Sequence, residues 1–351
     1  MRFPIRITLF FAFTTFLVFL SSCSKEGGAP QGNTNAVFDS SQTAKAVTVT
    51  EKEHRIYIRP KVGNSYYYRI VQHSSSTSNG SAPGQPDAHQ SATTDNYIYI
   101  HQTIRGIRAD SSIDMLFKFD SMSVKAVQDT IKVDLSSNRA ADRSDPRFSS
   151  FAALLGEDIG VIITKFGDVK EVYGTTNIIE KIMKPYPDSI KMKQGEYIKN
   201  QINARIGQYV LETLMHYPDQ PLAKDSTQKK DYEENVPISP SVTFPMQINI
   251  RQSLTGFEER ADKVLAIFTT NSTARPVRSV IEEGPVKATL QNFTMSTKED
   301  IRVEDATGML VYRNVIEEKT YALSIESSQA AGKTIKTDER AKSTTKVELL
   351  K

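Results

Sequence analysis

The 351-residue chain has no tryptophan and a single cysteine, Cys23. One cysteine permits no disulfide within the chain, so the fold must rest on its packed core. Without tryptophan, an aromatic platform for sugars would have to come from Tyr66, Tyr67, Tyr68, Tyr97 and Tyr99, which cluster on two expected neighbouring strands. Ordinary strand preference accounts for those tyrosines equally well. A surplus of charge is lacking too, with 44 basic against 41 acidic residues. Nucleic acid is therefore not an expected partner.

Motifs that carry chemistry are also scarce. His54, His73, His89, His101 and His216 have no second histidine or cysteine at ligand spacing, whereas zinc needs three or four converging ligands. They read as solvated or hydrogen-bonded side chains. No HExxH, EF-hand, P-loop or G-x-S-x-G pattern occurs. The adjacent carboxylates Glu258-Glu259, Glu282-Glu283 and Glu317-Glu318 fall in strand-like or turn-like stretches and read as solvated edges. Neighbours on a strand point to opposite faces, so such a pair cannot flank one scissile bond. No catalytic residue, metal ligand or cofactor is assigned. A hydrolase with dispersed acids leaves no local mark and is the minor alternative.

What is present begins at the N-terminus. Arg2 and Arg6 precede Ile7 to Leu20, an apolar run whose only polar side chains are Thr8, Thr14 and Thr15. The run has the form of a signal peptide and falls short of the roughly 20 residues that cross a bilayer. Leu20-Ser21-Ser22-Cys23 then matches a lipobox, in which the cysteine becomes the lipid-modified first residue. Each buried acyl CH₂ contributes about 0.8 kcal/mol, so two or three chains hold a domain on a membrane. Cleavage of 22 residues from 351 leaves 329 and removes two arginines, giving 42 basic against 41 acidic residues. That length can bury about 75% of the unfolded surface.

Residues 23–46 are polar and read as a flexible tether. A body over 47–328 follows, with 329–351 as a C-terminal tail and His73 to Thr94 as a long polar loop. Period-two alternation marks strands, most clearly at Ile113, Met115, Phe117 and Phe119 and again at Val242, Phe244, Met246, Ile248 and Ile250. Pro245 lacks a ladder donor and places its strand at an edge or beside a bulge. Between residues 177 and 216 the period changes: a short helix precedes a longer one whose Ile198, Ile202, Ile206, Val210 and Leu214 recur every fourth position. That stripe is read as core packing rather than as a membrane-surface helix. The expected class is α+β and mainly antiparallel β, a curved sheet or half-barrel-like pair of sheets with an amphipathic helix over one face. Two halves, 47–176 and 236–328, would flank the helical connector.

The lipobox at Leu20-Ser21-Ser22-Cys23, the stretch Gly160 to Val169 and the late Asp305-Ala306-Thr307-Gly308-Met309 resemble a family of Bacteroidota-type lipoproteins of unknown function with a β-rich body. The resemblance implies anchoring to the outer membrane, on its periplasmic or outer side, and Ser24 after Cys23 differs from the aspartate that retains lipoproteins at the inner membrane. The expected function is a non-enzymatic binding module for an apolar ligand or an envelope protein. A structural envelope scaffold is the alternative.

Overall fold

The computed structural model describes residues 44–47, 54–184, 186–239, 242–283, 286–327 and 334–350. Cys23, its lipobox, nearly all of the tether and the Gly284-Pro285 turn lie outside them. The first half holds β1 (Lys45–Ala46), β2 (Ser65–Ser81), β3 (Ala88–Ile107), β4 (Ile113–Gln128), β5 (Ile131–Ser136), the short helices α1 (Ala140–Arg143) and α2 (Ser149–Leu154), β6 (Asp158–Ile163) and β7 (Val169–Tyr173). Helices α3 (Thr176–Met183) and α4 (Asp188–Glu212) follow. The second half comprises β8 (Thr227–Ser239), β9 (Val242–Arg260), β10 (Lys263–Pro276), β11 (Val280–Glu283), β12 (Val286–Glu304), β13 (Leu310–Ser327) and β14 (Thr334–Leu350).

All fourteen strands belong to one antiparallel sheet, in the order β1-β9-β10-β12-β13-β14-β2-β3-β4-β6-β7, with β8 on β9, β11 on β12 and β5 on β4. The two expected halves are thus joined into one open, curved sheet and share its centre. Alternation decides which face is inner. In β4 the side chains of Ile113, Met115, Phe117 and Phe119 are buried, and in β9 those of Val242, Phe244, Met246 and Ile248 are buried.

Two apolar clusters lie on this inner face. The larger gathers Tyr68, Ile70, Ile98, Ile100, Met115 and Phe117 with Ile206, Tyr209 and Val210 of α4. The expected helical stripe is therefore core along its C-terminal half: Ile206, Val210 and Leu214 are buried and Ile202 packs against the cluster. The smaller gathers Val236, Phe244, Met246, Ile281, Leu290, Tyr321 and Leu323 inside the curl of β8 to β13. The curl is tight enough for the Tyr321 hydroxyl to donate to the Ile238 carbonyl at 3.2 Å, from β13 to β8.

One end of the sheet is capped. Ile58 N donates to Lys165 O at 2.8 Å and Arg59 N to Thr307 O at 2.7 Å, so residues 54–59 tie the β6–β7 turn to the β12–β13 turn. Gly308 sits under this strap at φ 64°, and a Cβ there would lie 2.1 Å from the Tyr57 carbonyl oxygen. Backbone on both sides leaves nothing flexible to give. Gly308→Ala is expected to cost about 2–4 kcal/mol, combining left-handed strain with overpacking, measured as a lowered urea midpoint.

Two expectations are corrected and a third is decided between its alternatives. The segment His73 to Thr94 is not a long loop: it continues β2 and β3, which pair from Ser65↔Thr103 to Gly80↔Ala88 around a short turn. The stretch 329–351 is not a tail, because Thr334–Leu350 forms a 17-residue strand bonded on one side to β13 and on the other to β2. The strand carrying Pro245 is interior, with β8 and β10 on its two sides. It is the bulge alternative that holds: the strand begins beside a shift of the β8 register between Pro237 and Ser239, opposite Thr243 and Val242.

Candidate functional site

Between the two apolar clusters a polar band crosses the inner face. Its first rung runs Thr270, Glu299, Val315, Thr345, Gln72 and Asn96 across β10, β12, β13, β14, β2 and β3. The next holds Ser272, Thr297, Glu317, Ser343, Ser74 and Thr94. The third holds Ala274, Met295, Lys319, Ala341, Ser76 and Ala92. Nearest α4 and the curl these side chains are buried, apart from the half-buried Glu299, but Ser74, Ser76, Ala92, Ala341 and Ser343 are partly open to solvent. Their small side chains make a shallow floor, bordered by Glu317, Lys319, Glu339 and Tyr321 on the β13 side.

The C-terminal end of α4 closes the band towards the larger cluster. Gln72 Nε2 donates to both Glu212 carboxylate oxygens at 2.9 and 3.0 Å, and Asn96 donates to Gln72 at 3.4 Å. Gln102 donates to the Thr213 hydroxyl, which donates in turn to the Val210 carbonyl. Arg313 reaches the Leu211 carbonyl at 3.2 Å and pairs with Glu299 at 2.8 Å. Burial pushes the Glu212 carboxyl up to about 7, opposed by the Arg313 charge and the Gln72 hydrogen bond.

The open side carries a second ionisable group of residues. Burial pushes Glu317 up to about 8, against the pull of Lys319 and with the push of Glu299. Burial also brings Lys319 down to about 8, although Glu339, 3.5 Å away, and Glu317 favour its charged form. Tyr321 donates to Glu339 at 2.7 Å, and burial together with that carboxylate holds its phenol above the ordinary range. The Oγ1 atoms of Thr270 and Thr297 and the Oδ1 of Asn96 are buried without a hydrogen-bond partner. Each such orphan costs about 1–3 kcal/mol, so the band is poorer in partners than a settled core. It holds an acid and an amine that change charge near neutral pH, beside a floor of hydroxyls able to donate or accept.

The structure places the earlier candidates elsewhere. Tyr66 and Tyr68 are buried on the inner face, while Tyr67 and Tyr97 lie outside, Tyr67 stacked on His101 at 4.1 Å. Tyr99 shares that outer face, so the five tyrosines are divided between the two faces of the sheet. His54, His73 and His216 contact Asp305, Asp95 and Asp168 at 2.7, 2.7 and 3.1 Å, and His89 contacts Asn79 at 2.7 Å. Among the described residues no group of three or more metal-ligating side chains converges. The pairs Glu258-Glu259 and Glu317-Glu318 split across the sheet: Glu318 and Glu259 are exposed as expected, but Glu317 and Glu258 are buried and are not solvated edges. Glu317 is marked in the sequence only as half of an adjacent carboxylate pair, and Glu212 and Lys319 are not singled out there as site residues. For Glu317 and Lys319 the trace is a polar residue at an inward position of a strand, and for Glu212 a carboxylate in the last turn of a helix.

A small cavity at the capped end, between His54, Ile56, Tyr217, Leu222 and Phe268, holds about 10 Å³, room for roughly one water. Sites for drug-sized apolar ligands usually span about 300–1,000 Å³.

Comparison with known proteins gives a family and distant shapes. No curated protein matches the chain. A solved structure entitled "Lipid-protein interactions in lipovitellin" aligns at TM-score 0.40 and 10% identity, over 82% of this chain and only 25% of that one. Pseudomonas aeruginosa OpdQ aligns at TM-score 0.24 and 6% identity, over 81% of this chain and 99% of that one. OccK5 (OpdH) of the same organism gives 0.23 and 7%, over 80% and 98%. Likenesses this distant carry no conclusion about ligand or activity. The sequence also matches a family model over residues 110–310, from the turn before β4 to the start of β13. That stretch is more than half of the chain, and the protein belongs to the Family of unknown function (DUF6263).

Proposed function

We propose that this chain is a non-enzymatic binding module, held on the outer membrane through lipid on Cys23, whose polar inner face receives a segment of an envelope protein. The observation that carries this reading is the partly open Ser/Ala floor bordered by Glu317, Lys319 and Glu339. Large apolar side chains of the inner face are already spent in the two packed clusters, which speaks for a polar protein segment over an apolar cargo. An extended segment suits a floor of small side chains, because its backbone can approach hydroxyls closely while its own side chains reach the ionisable border.

The test is photocrosslinking in intact cells with a benzophenone amino acid at Ser76, on the floor, and at Thr77, its exposed neighbour on the outer face. A protein adduct at Ser76 and none at Thr77 is expected. A lipid-sized adduct at Ser76 would replace the protein partner by an apolar cargo. Equal labelling at both positions, or none at either, would refute an inner-face site.

A further inference from the structure

We infer that the capped end of the sheet docks on a bilayer rich in anionic headgroups. This rests on the Cys23 anchor of the proposed function and adds the orientation of the body. β1 pairs antiparallel with the last residues of β9, Lys45 opposite Glu259, so the chain preceding Lys45 leaves the sheet at the end where β9 turns into β10. The starts of β2, β4 and β13 and the ends of β3, β12 and β14 lie at that same end. The stretch from Cys23 to Ala44 reaches on the order of 70 Å when extended. It brings this end to the membrane without fixing which surface touches.

The surface supplies that choice. Val62 and Ile107 are 57% and 52% exposed, large apolar side chains open to water in the turn before β2 and at the last residue of β3. That turn is tied to the end of β3 by Gly63 N to Ile104 O at 2.8 Å and Ile104 N to Asn64 O at 2.9 Å. Around them stand the exposed cations Lys61, Arg105 and Arg108, none of which has a carboxylate partner among the described residues. The two acids beside them in the chain are occupied: Asp110 pairs with Lys170 at 2.7 Å and accepts from Ser112, and Asp114 accepts from Tyr173 at 2.6 Å. Two exposed apolar side chains among three unpaired cations complement the negative headgroup layer and the acyl boundary beneath it. The opposite end exposes Val277 and Ile335, each 50%, but among mixed charges that include Glu282 and Glu326.

Depth-dependent fluorescence quenching tests this on the acylated full chain. With Cys23 modified, Ile107→Cys or Val277→Cys supplies a single thiol for a dye, and the quencher is a nitroxide on the lipid chain. Quenching at position 107 in vesicles containing phosphatidylglycerol, but not in phosphatidylcholine alone and not at 277, is expected. Quenching at 277, or equal quenching at both, would overturn the orientation. A second measurement separates this from the anchor itself. The unacylated Cys23→Ser chain should sediment with anionic vesicles, and Arg105→Gln with Arg108→Gln should weaken that partition about 25-fold, roughly fivefold per cation. Charge-independent partition would refute the patch even where mass spectrometry finds acyl chains on Cys23. An unmodified Cys23 with charge-dependent partition would refute the anchor and keep the patch.

Discussion

A chain ending at Ser327 is expected to show no cooperative unfolding transition and to collect in the insoluble fraction. The residues removed include β14, which pairs with β13 from Tyr312↔Glu348 to Glu326↔Thr334 and with β2 from Leu350↔Tyr67 to Lys336↔Ser81. Its loss takes Val347 and Leu349 from the larger core cluster, each about 1.5–3 kcal/mol of burial. It also strips the ladder from the facing edges of two long strands. Those edges lie in the middle of the sheet, and unpaired strand edges invite association with other chains. Whole domains are stable by only about 5–15 kcal/mol, so this loss exceeds the margin. Circular dichroism with a urea titration on the full and shortened chains measures it. A shortened chain that unfolds cooperatively with an unchanged midpoint would show that the strand is dispensable, as a C-terminal tail would be.

The same strand shows where the sequence stops being legible. β4 and β9 were readable because apolar and polar residues alternate along them, a pattern that burial on one face imposes directly. The far part of β2, His73 to Ser81, reads HSSSTSNGS, and β14 opens TIKTDERAKSTT. Both lack alternation because their inward positions, Ser74, Ser76, Ser78, Ala341 and Ser343, face the polar band and not a core. Sequence patterning reports an apolar face, and these segments have none. They are strands because neighbours on both sides supply ladder bonds, a non-local cause. The misread segments and the candidate site are therefore one phenomenon: the strands were hidden where the inner face becomes polar. Helix α4 was legible for the converse reason, since its C-terminal half packs Ile206 and Val210 into the larger cluster. Glu212, Glu317 and Lys319 were not, because burial raises or lowers a pKa only after distant strands have enclosed the group.

Glu212 gives the second large expected effect: the protein loses stability as pH rises from 5 to 8, and Glu212→Gln removes much of that loss. Its carboxyl is held at about 7 in the fold against 4.5 when free, so the folded state binds the proton more tightly than the unfolded chain. The associated stability is fully present below about 4.5 and is lost as pH passes about 7; a difference of this size corresponds to roughly 3 kcal/mol. Glu317, raised to about 8, acts with the same sign over a slightly higher range. Lys319, lowered to about 8, acts oppositely, but its contribution is present above 10.5 and already lost below 8, so it leaves this window flat. Glutamine at 212 keeps a carbonyl oxygen for the Gln72 amide, removes the buried negative charge and gives up its attraction to Arg313. Urea midpoints of both chains at pH 5 and pH 8 decide the matter. A wild-type midpoint that holds or rises across the interval, or an unchanged pH difference in the variant, would sink the assignment. The linkage extends to binding. An occupant that brings a cation to Glu317 holds its charged form, so its affinity increases as pH rises towards 8. One that touches only Ser74, Ser76 and Ser343 binds with no such dependence, and the pH profile of binding thereby reports which part of the band is engaged.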